Sequence, residues 1–225
     1  MLANGIIEPS SSEWSSPCVL VPKGDGSGYR FCTDFRKVNA ITKSDSYPIP
    51  RIEDCIDRIG VSKYVSKLDL LKGYWQVPLT DRAKEVSAFV TPDGFFQYKV
   101  MPFGMKNILA SFQCMINKII SGLQGCESYI DDVVVHANTW EEHLDRLKGL
   151  FLRLREAQLT VNLAKTELGC AYVTYLGHRV GQGQVKPVDA KVEAVVRFPT
   201  PMNRCELMRF LGMASYYENL VKISH

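Results

Sequence analysis

Two adjacent aspartates, Asp131 and Asp132, interrupt one of the most strand-like runs in the chain, "ESYIDDVVVHAN". Aspartate is depleted in strands, and a carboxylate taken out of water is costly unless something compensates it. The run admits two readings. Either the pair is the solvated turn of a hairpin, or the flanking apolar strands hold two carboxylates at a site. A third aspartate, Asp69, stands between Leu68 and Leu70 in "SKLDLLKG", again in a strand-like context. Each aspartate alone is explained by an exposed turn or an edge strand. Together, if the two segments are neighbours in one sheet, three like charges converge and repel strongly. A pair of divalent cations resolves that conflict. Mg²⁺ prefers hard oxygen ligands, usually one or two carboxylates plus substrate phosphates. Two such ions stabilise the attacking and leaving oxygens of an in-line phosphoryl displacement.

Other chemistries are harder to place. The seven cysteines form no CxxC pair and are odd in number, and the four histidines show no HExxH spacing, which argues against a zinc site or a disulfide framework and for a reducing, intracellular setting. No apolar run approaches the roughly 18 residues of a membrane span, and no signal peptide is recognisable at the N-terminus, so no membrane partner is expected. The 225 residues suffice for one large domain or two small ones, and the net charge of +3 is compatible with nucleic acid without requiring it.

The surrounding pattern is mixed. "SPCVLVPKGDGSGYRFCTDF" reads as strand, glycine-rich turn and strand. "RIEDCIDRIG" sets Ile52, Cys55, Ile56 and Ile59 on one helical face with Gly60 as the stop. "VSAFVTPDGFFQYKV" is a hairpin turning at Pro92-Asp93-Gly94. "NILASFQCMINKIISG" is a helix, with Asn107 as its expected cap and Gly122 at its end. In "TWEEHLDRLKGLFLRLREAQ", Thr139 and Glu142 form a capping box, and Trp140, Leu144, Leu147, Phe151 and Leu154 are the expected buried stripe. "TYLGHRV" reads as one short strand. The last stretch predicts two helices joined by "PTP", capped by Asp189 and Asn203. Antiparallel strands mixed with helices give an α+β class.

With these pieces in place, the chain resembles the reverse transcriptases of gypsy-type long-terminal-repeat retrotransposons and, more distantly, of retroviruses. The matching segments run in the family's order: "GIIEPSSSEWSSPCVLVPKGDGSGYRFCTDFRKVNAIT", "YPIPRI", "SKLDLLKGYWQVPL", "FVTPDGFFQYKVMPFGMKN", "YIDDVVV", "EEHLDRL" and "YLGH". The resemblance implies a right-hand polymerase: fingers over roughly 1–63 and 82–103, palm over roughly 64–81 and 104–180, and the start of a truncated thumb over 181–225. The chain is short for the family, and no RNase H, integrase or protease domain is expected in it. The implied activity is RNA-directed DNA polymerisation from a DNA primer on an RNA or DNA template, with dNTPs as substrate and two Mg²⁺ ions (or Mn²⁺) as cofactor.

Residue roles follow motif by motif. Asp69, Asp131 and Asp132 match the metal-binding aspartates, with the backbone at Leu70 as an additional ligand. Lys23 and Arg30, flanking the "GDGSG" turn, match the basic residues that embrace the triphosphate; guanidinium grips phosphate with two donors and ammonium acts as a point charge. Tyr74 matches the residue that rejects a ribose 2′-hydroxyl. Phe103 and Gly104 match the nucleotide pocket. Tyr129 and Ile130 would face the primer end. Tyr175, Leu176, Gly177 and His178 match the primer-gripping hairpin, and Lys165 matches a lysine that protonates the leaving pyrophosphate. Lys63, Lys67, Lys72, Arg82 and Lys84 are candidates for a basic strip that neutralises phosphates.

The chain departs from the family pattern at Ile108-Leu109-Ala110, at His136-Ala137 and at Glu218, and its "GDGSGYR" is one glycine longer than the common form. Two alternatives follow: a remnant that keeps the fold and binds primer–template without incorporating nucleotide, and, from the carboxylates alone, a two-metal nuclease.

Overall fold

The structure, a computed structural model, describes residues 1–24, 26, 28–188, 193 and 195–221, with 216–221 as backbone only. Three sheets organise it. The central one has four strands in the order β7-β8-β4-β9, comprising β4 (Tyr64–Asp69), β7 (Cys126–Tyr129), β8 (Asp132–Ala137) and β9 (Glu167–Cys170). Strands β4 and β8 pair antiparallel from Tyr64↔Ala137 to Asp69↔Asp132.

Side chains alternate across a strand, so this register sorts the sheet into two faces. Leu68, Val133 and Val135 join one core with Ile108, Phe112 and Ile116 of α4 (Ile108–Ile120) and Leu147, Leu150 and Leu154 of α5 (Trp140–Glu156). Val65 and Val134 join a second core with Cys55, Ile56 and Ile59 of α2 (Ile52–Gly60). That second core also takes Val173 and Tyr175 of β10 (Val173–Tyr175) and Val180 of β11 (His178–Gly181). β12 (Gln184–Pro187) completes this three-stranded sheet.

The third sheet has five strands in the order β1-β6-β5-β2-β3. They are β1 (Ile7–Pro9), β2 (Ser16–Pro22), β3 (Tyr29–Thr33), β5 (Phe89–Thr91) and β6 (Gly94–Tyr98). It packs Ile7, Phe89 and Tyr98 against Phe35 and against Val38 of α1 (Arg36–Ile41). The expected hairpin at Pro92–Gly94 is present as β5–β6, next to α3 (Asp81–Val86).

Several expectations need correction. The buried side of α5 is His143, Leu147, Leu150 and Leu154, while Trp140, Leu144 and Phe151 are exposed. Apolarity misplaced the stripe because its first member is a histidine, buried and matched by the Ser66 hydroxyl at 2.7 Å from Nε2. Thr139 does cap α5, accepting from the Glu142 N–H. Asn107 does not cap α4: its amide oxygen accepts from the Asp45 N–H and its amide nitrogen donates to the Lys43 carbonyl, tying down that loop. "TYLGHRV" is a hairpin and not a single strand, turning at Leu176–Gly177 with φ of 49° and 82°. Asn203 caps α6 (Arg204–Val221), its oxygen accepting from the Glu206 N–H at 2.9 Å. Asp189, and the Glu218 side chain, lie outside the described residues.

Candidate active site

The turn between β7 and β8 consists of Ile130 and Asp131, flanked by the Tyr129↔Asp132 pair. Ile130 has φ of 58°, a left-handed conformation that a β-branched residue rarely adopts. Such a residue persists only where its surroundings hold it. The holder is Gln113 of α4, which is fully buried. Its side-chain oxygen accepts the Ile130 N–H at 2.6 Å, and its nitrogen donates to Asn117 Oδ1 and to Ser128 Oγ at 2.8 and 3.0 Å. Asn117 in turn donates to the Tyr47 hydroxyl. A satisfied polar chain thus fixes the turn from within the core, where any broken link would strand a buried donor or acceptor.

The facing end of β4 is fixed as firmly. The Leu70 N–H donates to the Asp131 carbonyl at 3.1 Å and the Asn162 N–H to the Asp69 carbonyl at 2.8 Å. Gln76 donates to the Leu71 and Thr160 carbonyls and accepts from the Thr160 N–H. Gly73 explains how the two segments approach. A Cβ there would stand 3.3 Å from both Asp131 Cβ and Phe112. Sequence reasoning missed Gln113 and Gly73. A glutamine at a core position of an otherwise apolar helix is the signal that was available for the first.

These contacts put Asp69 directly opposite Asp132, with Asp131 at the adjoining turn. Burial raises the Asp132 carboxyl above the usual carboxylate range, and the Asp131 and Asp69 charges add to that rise. Lys67 opposes it, its Nζ 3.4 Å from Asp132 Oδ1. Lys165 lies 3.5 Å from Asp69 Oδ2. Burial, with the Asp131 charge, pushes the Tyr74 hydroxyl up to about 12. Among the described residues, no three acidic, histidine or cysteine side chains are already drawn together as a metal cage. The donor set nonetheless fits a hard cation. It is all carboxylate oxygen, and its three carboxylates are met by two lysines, Lys67 and Lys165.

Tyr74 is buried, its ring edge-on to Phe112 and to Phe103 at centroid distances of 4.9 and 5.1 Å. Phe103 is 61% exposed beside it. Gly104 has φ of 97°, which favours glycine. The Leu70 carbonyl accepts from the Gly73 N–H, leaving one lone pair. The β2–β3 register, extended by the Lys23 N–H bond to the Gly28 carbonyl, places Lys23 and Arg30 on one face of that hairpin. Tyr129 is half-buried beside the turn. Tyr175 and His178 are buried, so of the four residues of the expected primer-gripping hairpin only Leu176 and Gly177 present surface. Of the five candidate strip residues, Lys67 is paired with Asp132 and Lys84 with Asp81, while Lys63, Lys72 and Arg82 are exposed.

His136, a departure from the family pattern, points to the same face as Asp132 but lies deeper along β8. Its Nδ1 meets the Ser62 hydroxyl at 2.8 Å, and Arg146 donates to its carbonyl. Burial, with the nearby Arg146, His143 and Arg58, lowers its pKa to about 4, so it is neutral.

The chain belongs to the reverse transcriptase (RNA-dependent DNA polymerase) family, whose model matches residues 21–180. It is 36% identical over 98% of its length to the retrovirus-related Pol polyprotein from transposon 297 of Drosophila melanogaster, covering 21% of that protein. It is 36% identical over 99% of its length to the Pol polyprotein from transposon opus of the same fly, covering 23%. These relatives are of the gypsy type. A Schizosaccharomyces pombe relative, the transposon Tf2-3 polyprotein, is 31% identical over 98% of the chain and 17% of its own length. The chain thus spans about a fifth of the curated relatives it matches. Among solved structures, the foamy viral protease–reverse transcriptase in complex with double-stranded DNA superposes with a TM-score of 0.87 at 26% identity, over 96% of this chain and 38% of that one. Its complex with an RNA/DNA hybrid gives 0.84 at 26% identity, over 96% of this chain and 29% of that one.

Proposed function

We propose that this chain extends the 3′ end of a DNA primer by two-metal nucleotidyl transfer, with Asp69, Asp131 and Asp132 as the metal ligands and the Leu70 carbonyl as a further one. The observation that carries this reading is the Asp69–Asp132 pairing beside the Gln113-anchored turn, three carboxylates met by two lysines. Bound Mg²⁺ would supply the charge that lowers the pKa of the primer hydroxyl and neutralises the departing pyrophosphate.

The chain's own residues do the rest. The β4 and β8 ladder keeps the carboxylates still, so no reorganisation is needed as charge develops. Lys23 and Arg30, on one face of the β2–β3 hairpin, hold the triphosphate. Tyr74, backed by Phe112, offers a ring that a deoxyribose can sit on and a 2′-hydroxyl cannot. Phe103 extends that surface, and Gly104 keeps the backbone close. Ile130 and Tyr129 meet the primer end, with the Leu176–Gly177 turn gripping its backbone. Lys165 donates the proton that pyrophosphate takes up on leaving. In this reading the five-stranded sheet belongs to the fingers over roughly 1–63 and 82–103, the four-stranded sheet to the palm, and 181–225 to the thumb.

The similarity to polymerases solved with duplexes supports a primer–template partner, RNA or DNA in the template strand. Primer extension by the purified chain at low salt, with Mg²⁺ or Mn²⁺, tests the reading. Extension that Asp131→Asn abolishes without changing the melting temperature supports it. Duplex binding with no incorporation would replace it with the remnant, and nucleic-acid degradation without dNTP with the nuclease.

A further inference from the structure

Lys67 has no part in the catalytic roles proposed above, yet its placement is specific. It sits on β4 two residues before Asp69, on the same face, at the border between the carboxylates and the apolar core of Val65, Val134, Val173 and Tyr175. Only about a fifth of its side chain is exposed. An ammonium so placed needs acceptors. It has two, on different elements: Asp132 Oδ1 of β8 at 3.4 Å and the Thr174 carbonyl of β10 at 3.1 Å. β10 and β11 form the hairpin that ends in Leu176–Gly177, and Thr174 pairs with Arg179 within it. β10 belongs to a different sheet from β4 and β8, with which it has no ladder hydrogen bonds. Lys67 is therefore a polar pin between the carboxylate strand and that hairpin, through a point charge that reaches both.

We propose that Lys67 is a positioning residue: by bridging Asp132 and the Thr174 carbonyl it fixes the height of the Leu176–Gly177 turn over the carboxylates, and so sets where a primer end rests relative to Asp132. The link to the primer rests on the polymerase reading above; the bridge itself does not. A purely electrostatic lysine would only offset the Asp132 charge. A pin also determines how tightly the hairpin is held, and that can be read without turnover.

The test is amide hydrogen exchange on the purified full chain, comparing wild type, Lys67→Met, Asp132→Asn, the double variant and Lys67→Arg. Lys67→Met keeps the stem that covers the apolar border and removes the donor. The pin predicts about tenfold or faster exchange at 173–181 in Lys67→Met, with β4–β8 amides unchanged. It predicts a similar increase in Asp132→Asn, no further increase in the double variant, and recovery in Lys67→Arg. Unchanged hairpin exchange in Lys67→Met, or additive effects in the double variant, would overturn it. If Lys67→Met loosens the whole chain, Lys67→Gln is measured in its place under the same criteria. Where the wild type extends primers, Lys67→Met should also raise the KM for primer–template more than it lowers kcat. A chain that fails to extend primers leaves the exchange result standing, so loss of the polymerase reading and loss of the pin are seen separately.

Discussion

The two ends of the β4–β8 ladder bury polar groups against the same apolar core, with opposite outcomes. At the closed end Val65 faces His136, whose ring is matched by the Ser62 hydroxyl and whose carbonyl takes an Arg146 donor. At the open end Asp69 faces Asp132, and burial raises Asp132 despite Lys67 beside it. The first end keeps its titratable group neutral, its Nδ1 matched from inside the chain and its buried Nε2 without a hydrogen-bond partner. The second gathers more negative charge than the chain neutralises. A polar residue in a sheet therefore says little by itself. What marks the open end is the residual charge imbalance on rigidly held strands, which is where a charged ligand gains most.

The comparison breaks most sharply by substitution at the open end. Asp69→Asn or Asp132→Asn should cut primer extension by about 10²–10³-fold or more, the range seen when preorganised charge stabilisation is lost. The melting temperature of Asp132→Asn should be no lower than wild type, because a like charge is removed from a crowded site; calorimetry checks this. Next is the anchor. Gln113→Leu fills the same space but strands the Ile130 N–H, at a cost of about 1–3 kcal/mol. Denaturant unfolding should show that loss, together with reduced extension. A smaller effect is expected at Gly73→Ala, whose new methyl group would press on Asp131 and Phe112, shifting the turn by tenths of an ångström. Its kcat should fall while its unfolding midpoint moves little.

The smallest effect belongs to the closed end and appears with pH. The unfolded-state imidazole titrates near 6.5, and the folded His136 near about 4. The unfolded state thus binds the proton first, and stability declines as pH falls from about 6.5 towards 4. His143, also lowered by burial, contributes in the same direction. His136→Gln should flatten the dependence of melting temperature on pH across that window and leave extension at neutral pH unchanged.

Much of this was legible in the residues. The strand–turn–strand around Asp131, the β5–β6 hairpin, the α2 face and the Asn203 cap follow from local chemistry: β-branched runs, Pro-Asp-Gly, a 3.6-residue period and an Asx oxygen. The illegible parts depend on partners distant in sequence. His143 reads as polar until Ser66, 77 positions earlier, is seen against it. The Leu176–Gly177 turn lacks the Asn-Gly or Asp-Gly signature that announces a tight hairpin. Lys67 reads as one more surface lysine until the sheet delivers Asp132 and Thr174 to it. Asn107 was drawn from its capping role by Lys43 and Asp45.

The central claim is that the Asp69–Asp132 end is short of cations and that the His136 end is not. Mn²⁺ titration by electron paramagnetic resonance tests it directly, using the chain with a dideoxy-terminated primer–template and a matching dNTP. Saturable Mn²⁺ binding beyond that of the nucleic acid and nucleotide alone, lost in Asp69→Asn and in Asp132→Asn and kept in His136→Gln, is the predicted result. Binding no greater than that background, or binding that survives both aspartate substitutions, would contradict it.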